Sequence, residues 1–517
     1  MIRKTHSLWL IMLIISGCAS LPDNTQRTES FAIVDTHETK LGRDLQASRD
    51  LGRTQDGFII LGKGLDAFMA RAALAEVAEK SLDVQYYLYH NDLVGGLFTA
   101  ILLRAADRGV RVRLLVDDMD MEDRDRGILA IDNHPNIEIR IFNPFDRNIS
   151  RLPQFVTGLG TVTRRMHNKS FTADNVATIL GGRNIGNAYF DANPTLEFAD
   201  LDVLAKGDVV KEVSASFDLY WNSKLAYPAT TLIDEYMSDE QALTVRNEFH
   251  VFYDKQKNSE YVEALQTSTL AKNIREDKVE FVRGDAVIVV DHPDKITSSR
   301  DANELHLVSQ LAPYFQGLKK ELFIISPYFV PGDEGVDFFK ELIDRGIRVR
   351  ILTNSLSSND VGIVHAGYAK YREALLKSGV ELYEMNKKLT RKQRKDKKGV
   401  SSSSKASLHA KAFVLDRNKV FIGSLNLDPR SFYENTEIGL ILNSPEVAGT
   451  MADTLSEDIK LHAFRLELHS DEDGYEEILW HGFENGKPVT FDVDPYTSFW
   501  RRFGVNIMSL LPIESQL

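Results

Sequence analysis

Apolar residues occupy every second position in Val110-Arg111-Val112-Arg113-Leu114, and again in Ile347-Arg348-Val349-Arg350-Ile351. That period of two predicts strands. Each strand follows a stretch with helical spacing, 95–108 and 335–345, closed by Asp-Arg-Gly. A second apolar run, 82–87 and 322–328, stands upstream of each helix. The chain therefore reads strand, helix, strand twice, with the copies 237 residues apart. Such units favour parallel pairing. The predicted fold class is α/β: two similar domains, each a mixed, mostly parallel sheet flanked by helices. The polar, helix-leaning stretch 234–277 holds the boundary, giving domains 51–265 and 266–517.

The amino terminus follows another pattern. Arg3 and Lys4 precede the apolar run 8–15, and Ser16-Gly17-Cys18 follows. Charged, apolar and small segments in that order predict a secretory leader over 1–17. The run falls short of the ~20 apolar residues a membrane-spanning helix needs. Cys18 is the only cysteine, so an intramolecular disulfide framework and a Cys-rich zinc site are excluded. Ile15-Ser16-Gly17-Cys18 resembles a bacterial lipobox, which implies lipidation of Cys18 and a polar tether over 18–50. Ala19 after the cysteine resembles the outer-membrane sorting pattern. The expected location is the bacterial cell envelope, lipid-anchored and facing the periplasm.

A longer duplication carries the chemistry. His167-Asn168-Lys169-Ser170-Phe171-Thr172-Ala173-Asp174 leads, six residues on, to Gly181-Gly182-Arg183-Asn184. His409-Ala410-Lys411-Ala412-Phe413-Val414-Leu415-Asp416 leads likewise to Gly423-Ser424-Leu425-Asn426, 242 residues later. Histidine and lysine two apart on a strand share a face. The lysine offers a point charge to phosphate oxygens, and the imidazole a nucleophile or a general acid. Asp174 and Asp416 complete the motif and are grouped with the catalytic residues. Five residues of strand span ~16 Å, however, so spacing alone makes them braces at hairpin turns. The return strands bring Asn184 and Asn426 back toward the His-Lys ends as phosphate ligands. A reacting imidazole needs an acceptor on its other nitrogen. Glu197 and Glu437, 30 and 28 residues past the two histidines, are the candidate orienting groups.

The duplicated H-x-K-x4-D-x6-G-[GS]-x-N resembles the phospholipase D superfamily. Gln85-Tyr86-Tyr87, Arg165-Met166, Ile185-Gly186 and the closing Leu511-Pro512-Ile513-Glu514-Ser515-Gln516-Leu517 are similar to its bacterial cardiolipin synthase C branch. The resemblance implies two halves related by a pseudo-twofold axis with one active site between them. It also implies a phosphohistidine intermediate and no metal or cofactor. The family tendency makes His167 the nucleophile and His409 the acid/base. The implied substrates are phosphatidylglycerol and phosphatidylethanolamine, and the implied product is cardiolipin. Hydrolytic phospholipase D chemistry uses the same residues, with water as acceptor.

Charge refines the choice of partner. Acidic side chains outnumber basic ones 75 to 62, a net charge of −13 that disfavours a duplex-binding surface. A superfamily endonuclease is therefore a lesser alternative, and no nucleic-acid partner is expected. Residues 386–399 nevertheless carry eight basic side chains against Asp396. Basic clusters are drawn to anionic headgroups, so this segment points to a membrane surface. Phe499-Trp500-Arg501-Arg502-Phe503 has the mixture of an interfacial helix, although a buried terminal helix fits it equally. Tyr86, Tyr87, Tyr328 and Phe329 are expected in the core or the pocket wall. A non-catalytic envelope-binding protein is disfavoured by two intact motifs.

Overall fold

The computed structural model describes residues 21–157, 161–193, 196–359, 361–387, 405–484 and 486–509. Cys18, most of the basic segment and the closing 511–517 lie outside the described residues.

The alternating runs form strands Arg111–Asp117 and Arg348–Thr353. Helices Leu93–Asp107 and Gly332–Asp344 precede them. Asp92 caps the first by accepting from the Gly95 amide. Both helices end at Asp-Arg-Gly because Gly109 (φ 94°) and Gly346 (φ 81°) take the left-handed conformation. That turns Val110 N–H back onto Ala105 O and Ile347 N–H onto Leu342 O, satisfying carbonyls the helix leaves open.

The halves share one strand order. Across the first sheet it runs Ala226–Pro228, Ile137–Phe142, Arg111–Asp117, Ser81–Tyr86, Ser170–Ala173, Ala177–Gly181, Asp202–Lys206, Asp56–Leu61. In the second it runs Ala463–Ser470, Glu381–Met385, Arg348–Thr353, Glu321–Ile325, Ala412–Leu415, Lys419–Gly423, Ile438–Asn443, Val282–Val290. Asp56–Leu61 pairs antiparallel with Val282–Val290, which joins the two sheets. Phe58, Leu180, Val203 and Ala205 of the first half pack with Ile422, Leu440 and Leu442 of the second in one apolar layer. The return strands of the two motif hairpins, through Leu180 and Ile422, thus meet across a packed seam.

Three expectations change. Among the described residues, three adjacent strands in each sheet are parallel and the other pairings within the two sheets are antiparallel, because the motif is a hairpin meander rather than a crossover; Leu196–Ala199 and Lys405–Leu408 pair parallel outside these sheets, one strand from each half. The stretch 24–50 is not a free tether. Asn24 donates to Lys224 O and Ala226 O, Arg27 to Asn222 O, and helix Lys40–Asp50 follows. Helix Thr269–Arg275 packs with the first half through Leu270, so that half extends past residue 265.

Candidate active site

Each motif is a tight hairpin, with Ala173 facing Ala177 and Leu415 facing Lys419 across a three-residue loop that opens on two left-handed residues. Asp174 and Asn175 (φ 50° and 52°), like Asp416 and Arg417 (both 53°), are left-handed, the conformation such turns require. The Asp174 carboxylate accepts from the amides of Glu79, Lys80 and Ser81 at 3.0, 2.8 and 2.9 Å. Asp416 accepts from Lys319, Lys320 and Glu321 at 2.9, 2.7 and 3.0 Å. Grouping these aspartates with the catalytic residues is therefore corrected: both sit at the far end of the hairpin and tie it to the neighbouring strand.

The histidines stand at the other end. His167 Nδ1 donates to Glu437 Oε2 at 2.8 Å, and His409 Nδ1 donates to Asp200 Oδ2 at 2.5 Å. Each orienting carboxylate comes from the opposite half. The backbone repeats the exchange: His167 N–H donates to Thr436 O and His409 N–H to Ala199 O, both at 2.8 Å. Glu197 is thus corrected as an orienting group. It lies in register with Ala406 on strand Leu196–Ala199, and the turn after that strand delivers Asp200 to His409. Asp200 was legible, since Ala199-Asp200-Leu201 stands 237 residues before Thr436-Glu437-Ile438, the offset of the strand repeat.

The Gly-[GS] pair serves these carboxylates. A Cβ on Gly182 would lie 2.1 Å from Asp200 Oδ1, so only glycine leaves room for the carboxylate. The equivalent Ser424 instead donates its hydroxyl to Glu437. Arg183 donates to Asp200 O at 2.6 Å and Leu61 O at 2.8 Å. Asn184 accepts from Leu88 N–H and donates to Tyr189 OH at 2.9 Å, so it braces a turn and holds the ring that flanks His409. Asn426 is 5% exposed, and its Oδ1 has no hydrogen-bond partner among the described residues.

A further duplicated pair was missed. Asp117 and Asn354, again 237 apart, end the strands Arg111–Asp117 and Arg348–Thr353. Asp117 accepts from Met166 N–H at 2.8 Å and Asn354 from Leu408 N–H at 3.0 Å, the residues just before the two histidines. They are positioning residues. Arg165 pairs with Asp117 in the core, whereas Asn354 also donates to Leu408 O at 2.9 Å. Tyr87 and Arg430 complete the His167 side. The Tyr87 ring stands edge-on 4.9 Å from the imidazole, and the Arg430 charge acts on His167. Tyr189 and Phe198 flank His409 at 5.2 and 5.0 Å.

Burial and the lysines set the electrostatics. Burial, then Lys169, Lys411 and Arg430, hold His167 well below 6.5; burial and Lys411 bring His409 down to about 4. Burial takes Lys169 down to about 7. The two carboxylates diverge. Burial raises Glu437 to about 7, whereas at Asp200 the neighbouring His409, Lys411 and Arg183 outweigh burial and pull it to about 2. Lys169 acts on His409 and Lys411 on His167, so the halves build one site. Two lysines beside two oriented imidazoles suit a phosphodiester: the lysines offer charge to its oxygens, His167 Nε2 faces away from its orienting carboxylate, and Lys411 Nζ stands 3.1 Å from His409 Nε2, where a phosphate oxygen would draw it off.

The family described as cardiolipin synthase, PLD-like domain, matches residues 72–221 and 314–459. The chain is 39% identical to cardiolipin synthase C of Escherichia coli (strain K12), over 89% of this chain and 96% of that protein. It is 31% identical to an uncharacterized protein of Helicobacter pylori (strain ATCC 700392 / 26695), over 98% and 99%. The phosphatidylserine synthase of Haemophilus influenzae Rd KW20 shares the fold at a TM-score of 0.53 and 13% identity, covering 82% of this chain and 92% of that one.

Proposed function

Because this chain belongs to the cardiolipin synthase, phospholipase D-like family, we propose that its site transfers a phosphatidyl group through a phosphohistidine to a glycerol-bearing acceptor, making cardiolipin. The chain is a phospholipid phosphatidyltransferase by this kinship. One observation carries the finer reading: each half contributes an imidazole whose Nδ1 is held by a carboxylate of the other half.

His167 Nε2 bonds to phosphorus as the bond from phosphorus to the leaving alcohol oxygen breaks, and His409 gives that oxygen its proton. The acceptor hydroxyl then yields its proton to His409. Its oxygen takes the phosphorus, and the bond to His167 breaks. The unequal carboxylates support this division of roles. Ionised Asp200 favours an imidazolium at His409, while Glu437, raised to about 7, leaves His167 neutral and nucleophilic. Lys169 and Lys411 depress both imidazoles. A phosphodiester anion between the lysines reverses that effect and raises His409 toward the range of a working acid.

The substrate reading is phosphatidylglycerol and phosphatidylethanolamine, presented to an enzyme held at a bacterial envelope membrane by a lipid on Cys18. Mass spectrometry of the lipids formed from mixed vesicles of those two tests it. Cardiolipin is expected from the parent chain and none from His167→Ala or His409→Ala. Phosphatidic acid without cardiolipin would establish hydrolysis instead.

A further inference from the structure

The last described helix, Phe499–Met508, is docked on one side and bare on the other. Val505 and Met508 pack with Leu356 and Ala366. Phe499, Trp500, Phe503 and Ile507 are 63%, 75%, 48% and 49% exposed. Spaced i, i+1, i+4 and i+8, they fall within about 100° of one helix face. Phe499 and Phe503 stack at 6.0 Å, and Trp500 stands edge-on to both. A contiguous aromatic stripe left in water signals a surface that meets something.

Its position indicates what it meets. Arg501 donates to Asn359 O at 3.2 Å, and Lys387 donates to Ser357 O at 3.0 Å. The turn 354–359 therefore anchors both the helix and the root of the basic segment that begins at Lys387. The same turn reaches the site: Ser358 donates to Asn354, which holds Leu408 on both sides of its peptide, next to His409. Aromatic side chains with a polar edge favour the headgroup boundary, and basic chain favours anionic lipid.

We propose that the Phe499–Met508 helix docks the enzyme on an anionic phospholipid surface, its stripe entering the headgroup layer beside the active-site turn. The inference deepens the phosphatidyltransferase reading and rests on it for the choice of lipid as partner. Trp500 reports on it directly in the mature chain, since Trp221 and Trp480 are buried and the fourth tryptophan, Trp9, belongs to the leader.

The mature chain from residue 18, carrying Cys18→Ser in every variant so that neither leader nor acyl anchor contributes, is mixed with phosphatidylglycerol or phosphatidylcholine vesicles. Co-sedimentation with phosphatidylglycerol is expected, together with a blue shift of emission that Trp500→Phe removes. Phe499→Ser/Phe503→Ser should weaken vesicle binding at least tenfold and lower turnover on vesicles in step. Turnover on a short-chain, monomerically dissolved phosphatidylglycerol should stay unchanged, and an unchanged urea midpoint confirms folding; if the double variant misfolds, Trp500→Ser alone is read the same way. Parent-like vesicle binding by the stripe variant would overturn the proposal, as would unshifted Trp500 emission at saturating vesicles. So would a parent dimer that the stripe variant converts to monomer, which would make the occupant a second copy. Stripe-dependent binding without any phosphatidyl transfer would leave this inference standing and remove the reading of the reaction.

Discussion

Asp200→Asn and Glu437→Gln remove the same atoms' charge at equivalent positions, yet they should behave oppositely. Asp200 is drawn from 3.8 to about 2, so it is ionised at neutral pH. At about 1.4 kcal/mol per pKa unit, that drop is about 2–3 kcal/mol of stability, present above the unfolded value and lost as pH falls through about 2. Glu437 is raised from 4.5 to about 7. A raised carboxyl destabilises the fold progressively between those values, and the same conversion gives about 3 kcal/mol above pH 7. Urea unfolding should show Asp200→Asn weaker by about 2–3 kcal/mol at pH 7. Glu437→Gln should match the parent near pH 4.5 and exceed it by up to about 3 kcal/mol at pH 8. Turnover, followed by lipid mass spectrometry, should fall on the order of 10³–10⁴ for Asp200→Asn, the scale seen when an ionised orienting carboxylate becomes an amide. For Glu437→Gln, whose amide oxygen still accepts from His167, a loss on the order of 10–100 is expected. Equal losses of activity, or a Glu437→Gln chain less stable than the parent at pH 8, would refute the asymmetry.

Asp174→Ala strands three amides, so calorimetry should show stability lower by about 3 kcal/mol or more, while the folded fraction keeps its turnover within about twofold because the carboxylate is remote from the imidazoles. Gly182→Ala pushes a methyl into the Asp200 carboxylate; activity should fall on the order of 10²-fold, with stability down by about 1–3 kcal/mol. Asn354→Leu frees both backbone groups of Leu408, and kcat should fall at least ~10-fold with KM steady, since what is lost is the placement of His409.

The two halves and the His-Lys pairs were legible because they lie within short stretches whose spacing repeats: 237 residues for the strands, 242 for the motifs. The orienting acids were half legible. Glu437 stands out by its alternation, but His167, its partner, is 270 residues away in the other half. No local period encodes a contact across a pseudo-twofold seam. Asp200 was masked by Glu197, which has the better strand pattern, and only the shared offset of Ala199-Asp200-Leu201 and Thr436-Glu437-Ile438 marks it. The share of parallel strands was overstated because βαβ units announce themselves by helical spacing, whereas the motif hairpins that complete each sheet are short. The stretch 24–50 reads as polar linker because it binds through single side chains such as Asn24 and Arg27, which leave no hydrophobic period.

The central claim is that one imidazole from each half works on one phosphorus, with His167 taking it. Alkaline quenching of the parent enzyme during turnover on phosphatidylglycerol, followed by peptide mass spectrometry, tests this most directly. The account predicts a phosphatidyl mass increment on the peptide containing His167 and none on that containing His409. An increment on His409, or cardiolipin forming with neither peptide modified at any quench time, would contradict it.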